Sequence, residues 1–212
     1  MARPKRVDGG DPSPQNAQRR RPAATEPRRP GKRDRTRAAL IGAAAAVIGE
    51  KGYDRTTLEE VAARAGMSRG AIYGNFSDKE ELFLAVIERH WQPVLPEFEP
   101  GAGLKRQLHL LGKAVAAAAR DRLPQAGAAC AFQLYAVTHP EMRERMTAEN
   151  AAIYKAAAKG FKKLVREDEI PMPAEQFVRV LDALTTGLLF TYFQTPTLIP
   201  EAVFVAAFEA LV

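Results

Sequence analysis

The side chains best suited to chemistry lie in one short run, Ser68-Arg-Gly-Ala-Ile-Tyr-Gly-Asn-Phe-Ser-Asp-Lys79, and what they suit is recognition of phosphate, not bond-making. Tyr73 follows the apolar Ile72, so its ring can pack while its hydroxyl points outward to a phosphate oxygen. Lys79 falls in the first turn of a following helix, where the macrodipole alone disfavours a cation. Beside the free N–H groups of that helix start it makes an anion site; the alternative is an ordinary solvated lysine. Arg69, Gly70, Ala71 and Asn75 are candidates for contact with base edges in a groove.

No catalytic grouping accompanies them. His90, His109 and His139 are scattered, no His-Glu pair has metal-ligand spacing, and no glycine-rich phosphate loop follows a strand. Neither a metal nor a cofactor is expected, and the chain is read as not an enzyme. The lone cysteine, Cys130, sits in the apolar stretch AACAF, where the expected role is a small buried hydrophobe and the alternative a redox sensor.

Helices must hold these residues. Leu58, Val61, Ala62 and Ala65 recur at helical spacing, Gly66-Met67-Ser68 breaks the pattern, and Ile72 and Phe76 resume it. The spacing predicts a helix over 57–65, a tight glycine turn and a short helix over 69–76, which is a helix-turn-helix. Thr56 with Glu59, Thr57 with Glu60, and Ser77 with Glu80 each match the S/T-x-x-E capping box. A bracing helix should start near Asp34 or Thr36, bury Leu40, Ile41, Ala44, Val47 and Ile48, and stop at Gly52. Gly70 and Gly74 each cost about 1 kcal/mol of helix propensity. Either they bare one ridge so that the backbone approaches a groove floor, or they loosen a short helix.

The stretch Thr56–Leu82, from the Thr pair through Ala62, Gly66, Ser68, Tyr73 and Phe76 to Lys79, resembles the DNA-binding domain of the tetracycline-repressor (TetR) family. The resemblance is strong over about fifty residues from Asp34 and only in outline to Val212. It implies nine or so helices, a DNA-reading N-terminal domain, a ligand-sensing C-terminal domain and a homodimer. It also implies phosphate contacts from Thr56, Thr57, Tyr73 and Lys79, and places Ser68 in the DNA-facing set. The sequence departs from the commonest family pattern at Gly74 and Asn75, so no side-chain contact carries over to Gly74.

Charge has the same polarity. Nine basic residues against Asp8, Asp11 and Glu26 give residues 1–32 a net +6, equal to the net charge of the whole chain. This segment also holds six prolines and no aromatic residue, so it is read as a disordered arm. It is either a solvated tail or an arm that follows the minor groove and nearby phosphates. The remaining division is 33–79 for the helix-turn-helix and 80–212 for a helical ligand-binding and dimerisation domain. With 46% apolar residues the chain is globular, and with neither a signal-peptide core nor an eighteen-residue apolar run it is placed in the cytoplasm without membrane contact.

Beyond residue 80, helices are expected over 78–91, 104–120, 124–138, 141–167, 174–193 and 201–212, and with no strand-like alternation the fold class is all-α. A small, mostly apolar or aromatic effector is expected among Trp91, His109, Phe132, Tyr135, Tyr154, Phe161 and Phe177, residues that could equally be core. Leu181, Leu184 and Leu188 of the 174–193 segment, with Phe204, Ala207, Phe208 and Leu211 of the last, are expected in a four-helix dimer interface. The alternative is burial within one subunit. The function so expected is a ligand-responsive regulator, most often a repressor, that binds a palindromic DNA operator. Its rivals are a sequence-neutral architectural DNA-binding protein and a small-molecule carrier or enzyme with a vestigial helix-turn-helix.

Overall fold

The computed structural model describes Met1 and residues 31–212; apart from its two ends, the basic arm read at 1–32 lies outside the described residues. Among the described residues there are nine α-helices and no strand. Helix α1 (Lys32–Lys51) buries Leu40, Ile41, Ala44, Val47 and Ile48 along one stripe and ends where Gly52 takes φ 83°. Helices α2 (Leu58–Arg64) and α4 (Lys79–His90) pack on it, and α3 (Arg69–Tyr73) packs on α2. The third helix is shorter than the sequence predicts, ending at Tyr73 with Gly74 as its C-cap, although the Phe76 N–H still donates to the Ile72 carbonyl at 2.9 Å.

Helix α6 (Ala126–Thr138) closes the same core. Its Phe132 and Tyr135 meet Phe83 of α4 with ring centroids 5.8 and 5.4 Å away, and Tyr53 stacks on Phe83 at 4.5 Å. The hydrophobic core around the helix-turn-helix therefore carries on past residue 79. It also orients α6 so that Cys130 and Leu134 face outward, the latter 65% exposed. The expectation of a buried Cys130 is overturned: α6 is apolar on every side, and only tertiary packing chose which side went in.

A second core joins α5 (Leu104–Arg122), the end of α7 (Pro140–Phe161), α8 (Ala174–Gln194) and α9 (Glu201–Glu209). Gly112 of α5 lets α9 lie close, since a Cβ there would stand 2.8 Å from the Cα of Val205. Phe204 and Phe208 are buried in this core and so is Leu181. Those three residues, expected at a dimer interface, instead hold one subunit together, while Leu184, Leu188 and Leu211 lie half-buried against them. Helix α7 stops at Phe161, short of the expected 167. The following turn brings the Glu169 carboxylate to the start of α5, where it accepts from the Leu104 N–H at 2.7 Å. No helix among the described residues is long and apolar enough to cross a membrane.

Candidate nucleic-acid interface

Reciprocal capping starts α2. The Thr57 hydroxyl accepts from the Glu60 N–H at 3.3 Å, and the Glu60 carboxylate accepts from the Thr57 N–H at 3.1 Å. Thr56 behaves otherwise: it is 2% exposed, and its hydroxyl donates to the Gly52 carbonyl at 2.8 Å. Its expected phosphate contact and its capping box with Glu59 are both corrected by that burial. Gly66, at φ 68°, makes the turn, a conformation open to glycine at little steric cost. Ser68 then caps α3, its Oγ accepting from the Ala71 N–H at 3.3 Å.

Ile72 and Phe76 are buried, which rolls α3 so that Ser68, Arg69, Gly70 and Tyr73 face solvent and Ala71 is half-buried. Arg69 has 74% of its side chain exposed and Tyr73 is 46% exposed. Asn75 does not join them. Its amide donates to the Ala71 carbonyl at 2.8 Å, and its Oδ1 is buried without a protein partner. The base-edge role expected of Asn75 is therefore corrected. The backbone there is held by Arg37 of α1, which donates to the Asn75 carbonyl at 2.8 Å and lies 4.2 Å over the Phe76 ring.

Lys79 is half-buried at the start of α4, but the helix end around it is not an open anion site. Asp78 is the N-cap and accepts from the Glu81 N–H at 2.8 Å; the Glu81 carboxylate accepts from the Ser77 N–H at 2.7 Å. These bonds hold both carboxyls below the usual carboxylate range. They also replace the expected Ser77–Glu80 box. The Lys79 ammonium turns instead to the carbonyls of Tyr53 and Asp54, 3.2 Å from each, and sits 4.3 Å from the Tyr53 ring centre. An ammonium has three N–H donors, so one remains for a further acceptor.

Sequence reasoning missed Glu59. Its carboxylate accepts from the Tyr73 hydroxyl at 2.9 Å and pairs with Arg69 at 3.2 Å, while the Arg69 guanidinium lies 5.4 Å from the Tyr73 ring centre. The bond from its own backbone N–H, then that from Tyr73, holds the Glu59 carboxyl low. Only the crossing of α2 over α3 unites residues fourteen apart, and no local spacing rule reports such a crossing.

The seven residues expected to line an effector site do not converge. Trp91 packs 5.9 Å from Phe190, and His109 Nδ1 pairs with Glu209 at 2.8 Å. Phe132 and Tyr135 belong to the first core, and Phe161 and Phe177 meet at 5.6 Å in the second. Tyr154 donates to Asp182 at 2.7 Å on the surface. A cleft of about 420 Å³ opens between the α1–α2 connection and α6, bounded by Tyr53, Leu134, Tyr135 and His139 among others. Tyr135 alone of the seven lines it.

The family model described as "Bacterial regulatory proteins, tetR family" matches residues 40–86. Over 58 residues the chain is 45% identical to the HTH-type transcriptional activator FasR of Mycolicibacterium smegmatis, covering 27% of this chain and 26% of that protein. Over 54 residues it is 46% identical to the HTH-type transcriptional repressor BepR of Brucella suis, covering 26% of each. The chain thus spans about a quarter of the length of these curated relatives. A crystal structure of a transcriptional regulator from Rhodococcus sp. Rha1 superposes with a TM-score of 0.63 at 25% identity, covering 82% of this chain and 92% of that one.

Proposed function

We propose, from this chain's membership of the tetR family of bacterial regulatory proteins, that it is a ligand-responsive transcriptional regulator acting in the cytoplasm. It binds a palindromic operator as a homodimer, represses from there, and is released by a small, mostly apolar or aromatic effector. Residues 33–79 read DNA, and residues 80–212 carry dimerisation and effector binding.

The observation that carries the reading is the outward face of α3, where Ser68, Arg69, Gly70 and Tyr73 stand free of the core on a helix fixed by Ile72 and Phe76. A short rigid helix with an exposed arginine and a bare glycine suits entry into a major groove, where arginine pairs with guanine edges. Thr57, exposed at the start of α2, and Tyr73 are read as contacts to flanking phosphates. The excess positive charge of residues 1–32 adds sequence-neutral attraction.

For the dimer, the support is the outer side of α8 and α9. Ala183, Gly187, Val203 and Ala206 are exposed there, and none is charged. Small side chains on a helix pair permit the close approach of a four-helix bundle across a two-fold axis. Selection of bound duplexes from a random pool tests the whole reading. An inverted repeat with half-sites about one helical turn apart is expected; a pool that stays random contradicts it.

A further inference from the structure

The geometry points to Glu59 as a specificity-determining residue of the DNA interface: its carboxylate holds, in the free protein, the place of the phosphate that Tyr73 and Arg69 would otherwise bind. Duplexes that offer backbone charge alone are thereby bound less well. This inference rests on the DNA-binding function proposed above.

Three features support it. Glu59 satisfies a phenolic donor at 2.9 Å and a guanidinium at 3.2 Å, the two kinds of donor that phosphate oxygens accept from. All three side chains are solvent-exposed on one side of the α2–α3 unit, so a duplex that reaches Tyr73 also meets Glu59. Finally, the reciprocal cap that starts α2 is made by Thr57 and Glu60, so the Glu59 carboxylate, which takes only its own backbone N–H there, is not needed for that cap.

A backbone phosphate that approaches Tyr73 and Arg69 therefore exchanges one anion for another and leaves an uncompensated carboxylate facing DNA. Like charges brought together across an interface oppose binding and suppress wrong partners. A duplex that gives Arg69 a base edge has an offset available, since a bidentate arginine pair discriminates between bases. The carboxylate so lowers the sequence-neutral affinity more than the specific one and widens the ratio between them.

The test compares the full chain with Glu59→Gln and with Glu149→Gln, which adds the same unit of charge on α7, where Glu149 pairs with Arg145. Each is titrated across a salt series with the selected operator and with a shuffled duplex of equal composition. Glu59→Gln is expected to bind the shuffled duplex about two- to fivefold tighter, the range set by an exposed ion pair. Its salt slope on that duplex should steepen by about one phosphate equivalent, and operator affinity should change less. Glu59→Gln matching Glu149→Gln on the shuffled duplex, or tightening equally on both duplexes, overturns the inference. If the unmutated chain prefers no duplex, the proposed function itself fails, and the shuffled-duplex comparison still decides whether Glu59 opposes backbone binding.

Discussion

The ammonium of Lys79 lies 4.3 Å from the centre of the Tyr53 ring and donates to the Tyr53 carbonyl at 3.2 Å. The start of α4 is thereby tied to the connection between α1 and α2, and the same Tyr53 ring stacks on Phe83 in the core. Lys79→Ala removes that tie along with a cation–ring contact. It should destabilise the chain by about 1 kcal/mol, or about 2–4 °C in thermal midpoint. Circular-dichroism melting checks this; an unchanged midpoint with a salt slope lowered by one would return Lys79 to a purely phosphate-binding role.

The interface between α5 and α9 sets a second expectation. Gly112→Ala forces a methyl group to within 2.8 Å of the Val205 Cα, and backbone cannot swing aside as a side chain can. Overpacking of this kind costs about 1–3 kcal/mol, to be read as a lower urea midpoint with an unchanged m-value.

Dimerisation can be tested without disturbing either core. Phe208→Glu should unfold the C-terminal helices, because Phe208 is wholly buried within its own subunit. Gly187 is exposed with open space around it, so Gly187→Glu should leave the fold intact and yield monomers with weakened operator binding. Sedimentation velocity with far-ultraviolet circular dichroism separates the two outcomes. A Gly187→Glu protein that remains dimeric places the interface elsewhere.

Acid should loosen the start of α4. The Asp78 and Glu81 carboxyls are held below their ordinary range by backbone N–H groups of the folded chain. A carboxyl depressed by folding contributes stability above its unfolded value, and that contribution is lost as pH falls through the folded one. The thermal midpoint should therefore drop as pH falls below about 4, and Asp78→Asn with Glu81→Gln should flatten that fall. An equal acid slope in the double variant would assign the effect to other carboxyls.

Local signals made much of this fold legible. Helix α5 begins at Leu104 and α8 at Ala174, as expected, because Gly103 and Pro173 punctuate those starts. The end of α7 was illegible: residues 161–170 contain neither glycine nor proline, and the chain turns there to cap α5 with Glu169 from sixty-five positions away. At the candidate site the same division holds. The Thr57 cap and the outward Tyr73 follow from spacing within one turn, although the same spacing also offered Thr56–Glu59 and Ser77–Glu80 boxes that do not form. The inward turn of Asn75, the burial of Thr56 and the Glu59–Tyr73 bond each depend on how α1, α2 and α3 cross. For α9, apolar residues around most of the helix left two burial schemes open, and packing on α5 chose the intramolecular one for Phe204 and Phe208.

The most direct test of the central claim is a fluorescence-anisotropy titration of the full chain with a labelled duplex from the region upstream of its own gene, against a shuffled duplex at about 0.15 M salt. The account expects saturable binding at least about a thousandfold tighter to the upstream duplex, a preference that Arg69→Ala reduces and that Tyr73→Phe leaves in place while weakening both duplexes alike. Equal affinity for the two duplexes, or no binding to either, would contradict it.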